Sequence, residues 1–423
     1  MHLEKNWRQW LFWLCCGGLT FFPACVLGGS YAPVLDDYIM YRGYHLYDIS
    51  YLLGTVRVWT TRPVANFLDV FLWSHFHSHL FLLLLIMTLL RLAGVWLVSR
   101  FFENQGWEGA VMPLCLLLLW CPLGVEATAW LAASTRISVG LFLMGCALAG
   151  ITRRHYVCGG LFLLLSYGCY EQVALVGCCL ATWALWQDRR RLFWLPGALG
   201  GVLGVFYLVC SRWNTTPRDA ISTTPAGTVV KAIGHSWQAG LGKLVPNSIV
   251  RGGAVLAERP WLWILLLGFA AAMALLWQPK KSRRHSRWMG AGIFCICFLP
   301  FFLLQDNGMS FRVLYLPMLG LALLVQGGTG AWRRVVAGAL AIGFCVGCAG
   351  EYRDYQRAGQ EDERHLIQLA EQLEDGELSV SGPVFYPSSV NYGQHILSVT
   401  HSDWSLTAGL RATTGNTELQ IKK

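Results

Sequence analysis

Long apolar runs separated by short polar joints, many of them basic, make up most of this chain. Trp10–Gly28, Leu80–Val98, Ala110–Leu123, Ile137–Gly150, Tyr156–Cys169, Val173–Trp186, Leu192–Cys210, Trp261–Trp277, Met289–Leu304, Arg312–Val325 and Trp332–Gly350 each predict a membrane helix. Several of them approach or exceed the ~20 residues that cross a bilayer. The pattern predicts an all-α polytopic membrane protein with about eleven transmembrane helices. The joints Arg153-Arg154, Arg189-Arg190-Arg191, Lys280 to Arg287 and Arg333-Arg334 then fall on one side, with Lys5 and Arg8. Basic residues collect on the cytoplasmic side, so the N-terminus is expected inside and the C-terminus outside.

Two outer segments are long, 31–79 and 211–259. The first is rich in tyrosine and tryptophan and suits juxtamembrane helices lying in the headgroup layer. The second contains a candidate helix, Thr228–Ala239. Glu126–Arg136 is expected as an external loop, and Tyr170-Glu171-Gln172 as a tight external turn. Residues 1–350 form the membrane domain on this reading. Residues 351–423 form a small external α+β domain, with a helix over Glu351–Glu374 and short strands at Leu378–Val380, Val384–Tyr386 and His395–Val399.

Composition agrees with the pattern. The chain is 55% hydrophobic and 13% charged, against about 25% charged in soluble domains. The net charge of +9 is accounted for by the joints that set orientation, so no nucleic acid is expected as a partner. The fifteen cysteines lie nearly all within apolar runs, which argues for apolar filling and against a disulfide framework or zinc site. No small-residue cleavage site clearly follows the first run, which is expected to be an uncleaved span.

Charge at the outer ends of the runs changes the picture. Asp36, Asp37, Arg42, Arg57, Arg62, Asp69, Arg136, Glu171, Lys231, Lys243, Arg251 and Arg312 all project there. Orientation does not require them, and an ionisable pair at a membrane edge is expensive enough to imply function. Carboxylates beside arginines and lysines can deprotonate a hydroxyl while neutralising a phosphate leaving group. Arg62, Arg312 and Lys243 are the candidates for a lipid phosphate. Glu171 is expected to pair with Arg136. His75, His77 and His79 are expected as interfacial histidines, since only His75 and His79 would share a helix face.

Asp36-Asp37 just after the first run, the aromatic and basic segment behind it and Thr61-Arg62-Pro63 resemble the first external loop of the GT-C glycosyltransferase superfold. Tyr170-Glu171-Gln172 and Arg312-Val-Leu-Tyr315-Leu-Pro317 are similar to features of its bacterial members, including O-antigen-modifying glucosyltransferases. The resemblance implies an inverting enzyme of the bacterial inner membrane. Such an enzyme moves a sugar from a polyprenyl-phosphate donor to a hydroxyl of a glycan or glycolipid acceptor on the periplasmic face. One aspartate would be the general base; Asp37 is expected in that role, with Asp36 supporting it. Glu171, Arg136 and Tyr315 would support the site. A divalent cation (magnesium, manganese or calcium) held by Asp36 and Asp37 also belongs to the family pattern. The alternatives are a lipid-linked glycan polymerase or ligase, and a flippase.

Overall fold

The computed structural model describes residues 2–422 except 56–61, 189, 203–204, 206–223, 279, 281–284, 304–309, 327–329, 374–376 and 380–395. In chain order the first helices are α1 (His2–Cys25), α2 (Asp36–Met40), α3 (Ile49–Thr55), α4 (Pro63–Phe71), α5 (Leu80–Asn104), α6 (Val111–Cys115), α7 (Val125–Thr128), α8 (Leu131–Thr152), α9 (Tyr156–Tyr167) and α10 (Glu171–Gln187). Helix α5 packs along α8, and α8 along α9. Helix α1 packs against both Trp261–Leu276 and Trp332–Glu371, which also pack on each other.

This is a helical membrane protein. Among the described residues, α5, α8 and Trp332–Glu371 are long and apolar enough to cross a membrane. The bent pair Glu108–Trp120 and Pro122–Thr128, meeting at 53°, adds a fourth if it is one span. Tyr156–Tyr167 and Trp261–Leu276 are apolar but shorter. The eleven runs therefore do not all appear as full-length helices among the described residues. Pro122 falls inside the third run and Pro317 inside the tenth, and a proline cannot donate to the helix ladder.

Polar contacts collect at two ends of the bundle. At one end Gln9 donates to Glu103 at 3.3 Å, and Lys280 reaches Glu108 at 2.9 Å. At the other, Gln356 donates to the Leu27 carbonyl at 2.8 Å, and Arg62 and Arg251 meet their carboxylates.

Several local expectations change. Glu126–Arg136 is not a solvent loop; it is helical and buried, comprising α7 and the start of α8. Its small residues Ala127, Ala129, Ala132 and Ala133 allow that close packing. The candidate helix in the second long segment is present as Ala226–Ala239, followed by a π turn and a second helix, Val245–Ala257. Trp332–Glu371 is one helix of 40 residues and runs unbroken through position 350. Glu377–Ser379 pairs in parallel with Gln420–Lys422. Residues 384–386 lie outside the described residues. Residues 396–399 do not form the expected strand: Asp362 accepts from the Val399 amide at 2.9 Å and the Ser398 hydroxyl at 2.6 Å, fixing the segment as a turn.

Helix Val245–Ala257 crosses Trp332–Glu371 at backbone contact. A Cβ on Gly252 would sit on the Val346 carbonyl oxygen, and one on Gly350 would lie 2.5 Å from the Ser248 carbonyl. Small residues at such crossings let helices approach where lipid provides no hydrophobic drive. Gly253, one position on, has open space around it. Gly252→Leu is expected to destabilise the protein by about 1–3 kcal/mol or more through overpacking. Gly253→Leu is expected to be neutral or mildly stabilising, because leucine is the better helix former. Thermal unfolding of both variants in the same detergent checks the contrast; equal midpoints would refute the close crossing.

Candidate functional site

The acidic pair opens α2, and its two members face different surroundings. Leu35, immediately before, has φ 44° and ψ −109°, a conformation costly for a branched side chain. That turn folds Asp37 back under the loop. Its Oδ2 accepts from the Tyr31 hydroxyl at 2.8 Å and the Val34 amide at 3.2 Å, and its Oδ1 from the Ala132 amide at 2.8 Å. Ala132 lies in the first turn of α8, where helix amides have no intrahelical acceptor. Trp130 stands at the cap position of that helix and provides no side-chain bond. Asp37 thus caps α8 from 95 residues away, with its charge at the favourable end of the helix dipole.

Asp37 is fully buried. Burial pushes its carboxyl up to about 7, the bonds from Tyr31, Ala132 and Val34 pull it back, and the neighbouring Asp36 charge adds to the rise. The Tyr31 hydroxyl also lies 3.0 Å from the Ala129 carbonyl. It can donate to an ionised Asp37, or accept from a protonated one while donating to Ala129. Asp36 is half-buried.

Around this pair the ions form defined partnerships. Glu171 does not meet Arg136. Its two oxygens take Nε and Nη2 of Arg62 at 2.8 and 3.0 Å, and the Arg62 guanidinium lies 4.9 Å from the centre of the Tyr170 ring. Arg136, one turn into α8, points inward and pairs with buried Asp69 at 3.0 Å. Tyr41 donates to the other Asp69 oxygen at 2.9 Å. The exchange follows from burial: Arg136 is enclosed and needs an enclosed counter-ion, whereas Arg62 and Glu171 are half-exposed together.

Arg312 is placed differently. Its guanidinium lies 4.8 Å from the centre of the Trp130 ring, and Trp130 is fixed by its indole N–H to the Val34 carbonyl at 3.2 Å. The loop carrying the acidic pair therefore positions the ring that carries Arg312. Buried Glu126 accepts from the Arg312 amide at 3.3 Å. Among the described residues no carboxylate is within ion-pair distance of the Arg312 guanidinium, nor of the exposed Lys243 ammonium. Gly240, three positions before Lys243, packs on Phe311, which brings the two cations into adjoining segments. Arg251 is engaged by Glu351 and Asp354, each at 2.5 Å. The Tyr315 hydroxyl donates to the Leu118 carbonyl at 2.9 Å and is fully buried, a packing role.

Asp37 Oδ2 already accepts two bonds and Oδ1 one. Among the described residues no group of three or more His, Cys, Asp or Glu could hold a metal ion. His77 instead stacks on His45, ring centres 4.1 Å apart. Sequence reasoning overlooked Tyr31 and Glu126, and also Arg91, which is buried midway along α5 and lines a small cavity with Tyr352. An arginine inside the apolar run Leu80–Val98 was the available signal for Arg91. Comparisons with known protein families, with curated proteins and with solved structures return no match.

An acid whose carboxyl is raised on folding favours the folded state at low pH. The unfolded chain loses this proton near 3.8 and the folded chain near 7, so stability is expected to fall as pH rises through that window and level off above it. The loss is on the order of 4 kcal/mol if all of the shift is expressed. Thermal unfolding between pH 4.5 and 8 should show a steeper decline for wild type than for Asp37→Asn.

Proposed function

We propose that the chain is a GT-C-type glycosyltransferase acting at the end of the bundle that carries Asp36 and Asp37. It would transfer a sugar from a polyprenyl-phosphate donor to a hydroxyl of a cell-envelope glycan or glycolipid, at the periplasmic face of a bacterial inner membrane. The observation that carries the proposal is Arg312. It is a half-buried guanidinium without a carboxylate partner among the described residues, seated on a ring that the acidic loop holds. A cation kept near the bilayer edge and unneutralised suits a phosphate. Lys243 is the second candidate for that phosphate. Arg62, saturated by Glu171, supports the site's shape.

In the proposed reaction the acceptor oxygen attacks the anomeric carbon, and its proton passes to Asp36. The bond from that carbon to the phosphate oxygen breaks with inversion, and polyprenyl phosphate leaves against Arg312 and Lys243. Asp36 is assigned the proton because it is the half-buried member of the pair; a base must come within hydrogen-bond reach of the hydroxyl. Asp37, enclosed by three donors, is assigned to positioning α2.

The test is transfer from a labelled polyprenyl-phosphate hexose to lipid-linked glycans by the full chain in nanodiscs. Asp36→Asn should lower turnover roughly 10²–10⁴-fold without moving the thermal midpoint. Asp37→Asn should change turnover and stability together. Arg312→Ala should raise KM for the donor more than it lowers kcat, with partial recovery in Arg312→Lys. Undiminished turnover in Asp36→Asn would overturn the assignment.

A further inference from the structure

A groove of about 520 Å³ lies between the first long outer segment and the helix Asp403–Thr414. That volume falls within the range of small-molecule sites. One wall carries Tyr44, Tyr47 and Tyr51, with Ile39 of α2 at its inner end; the other carries Asp403, Trp404 and Arg411. Positions 403, 404, 407, 408 and 411 follow helical spacing, so one face of the helix lines the groove. The rings of Tyr47 and Tyr51 stack at 4.8 Å, and Tyr51 and Trp404 are about half exposed, at 50% and 48%. Arg411 is held in place by donating to the Tyr47 hydroxyl at 3.2 Å and the Leu419 carbonyl at 2.9 Å.

This combination selects a class of ligand. Aromatic faces are electron-rich and accept the polarised C–H groups on the face of a pyranose ring. A carboxylate, a hydroxyl and a guanidinium beside them can bond the ring hydroxyls, since Asp403 accepts, Arg411 donates and Thr407 does either. Aromatics that only anchor a protein in headgroups face outward, whereas these line two walls of one cleft. The groove also leads somewhere. Ile39, which lines the groove, is on the same short helix as Asp36.

We propose that this groove binds a saccharide chain, with pyranose faces on Tyr47, Tyr51 and Trp404 and hydroxyls on Asp403 and Arg411, and that it directs the chain's acceptor hydroxyl toward Asp36. The acceptor role rests on the transferase reading; saccharide binding itself does not.

The test uses the full chain in detergent on an array of bacterial surface polysaccharides. Tyr51→Ala with Trp404→Ala is expected to lose at least tenfold in retention of a glycan that wild type holds. Thr407→Trp, which fills the groove while keeping its aromatic residues, should lose it too. Trp332→Ala, at an exposed position away from the groove, should bind as wild type does. A matched thermal midpoint for each variant excludes misfolding. The proposal is overturned if wild type retains no glycan better than the groove variants, or if those variants lose binding to phospholipid vesicles instead. The transfer assay separates the two readings. Transfer unchanged in the groove variants sinks the groove and spares the transferase. Glycan binding lost in those variants, with no transfer by wild type, spares the groove and sinks the transferase.

Discussion

A carboxylate withdrawn from water must be held by donors that cannot leave, and in this protein the Asp37 carboxylate is held by three. Each donor belongs to a different part of the chain's logic. The Val34 amide closes the turn strained at Leu35. The Tyr31 hydroxyl ties the loop to the Ala129 carbonyl ahead of α8. The Ala132 amide is the first-turn donor of a buried helix whose own cap residue is a tryptophan. Removing the carboxylate would leave buried donors unpaired, each a cost of about 1–3 kcal/mol.

Helix α2 is short, and its successive residues have distinct tasks. Asp36 is half-buried beside the ion cluster. Asp37 fastens the helix to α8. Tyr38 enters a second small core with Leu366, Val399, Leu406 and Leu410, so the C-terminal helices rest on the same turn. Ile39 faces the groove. A displacement of α2 would be felt by the ion cluster, the C-terminal core and the groove together, because interiors packed to this density do not deform piecemeal.

What the sequence made legible follows from the range of the forces involved. Apolar runs, basic joints and an acidic pair are local, and the helical membrane class was readable from them. Pairings were not. Arg62 and Glu171 are 109 residues apart, and nothing in either neighbourhood distinguishes Arg62 from Arg136 as the partner. Only burial decides it. Glu126–Arg136 looked like a loop because its flanking charges suggested water. The charges are instead neutralised or bonded in place, which frees the alanines between them to pack. The residues near 396–399 had the alternation of a strand, but Asp362 captures the donors a ladder would need.

The helix Trp332–Glu371 has 40 residues. At about 1.5 Å per residue it is roughly 60 Å long, while the hydrocarbon layer is about 30 Å thick. Its first half is apolar and its second half strongly charged, and the helix Asp403–Thr414 packs against that second half through Leu366 and Gly409. It therefore serves as a ruler. The separation between the helix Asp403–Thr414 and the apolar half of the rod is set by a count of residues in one unbroken helix.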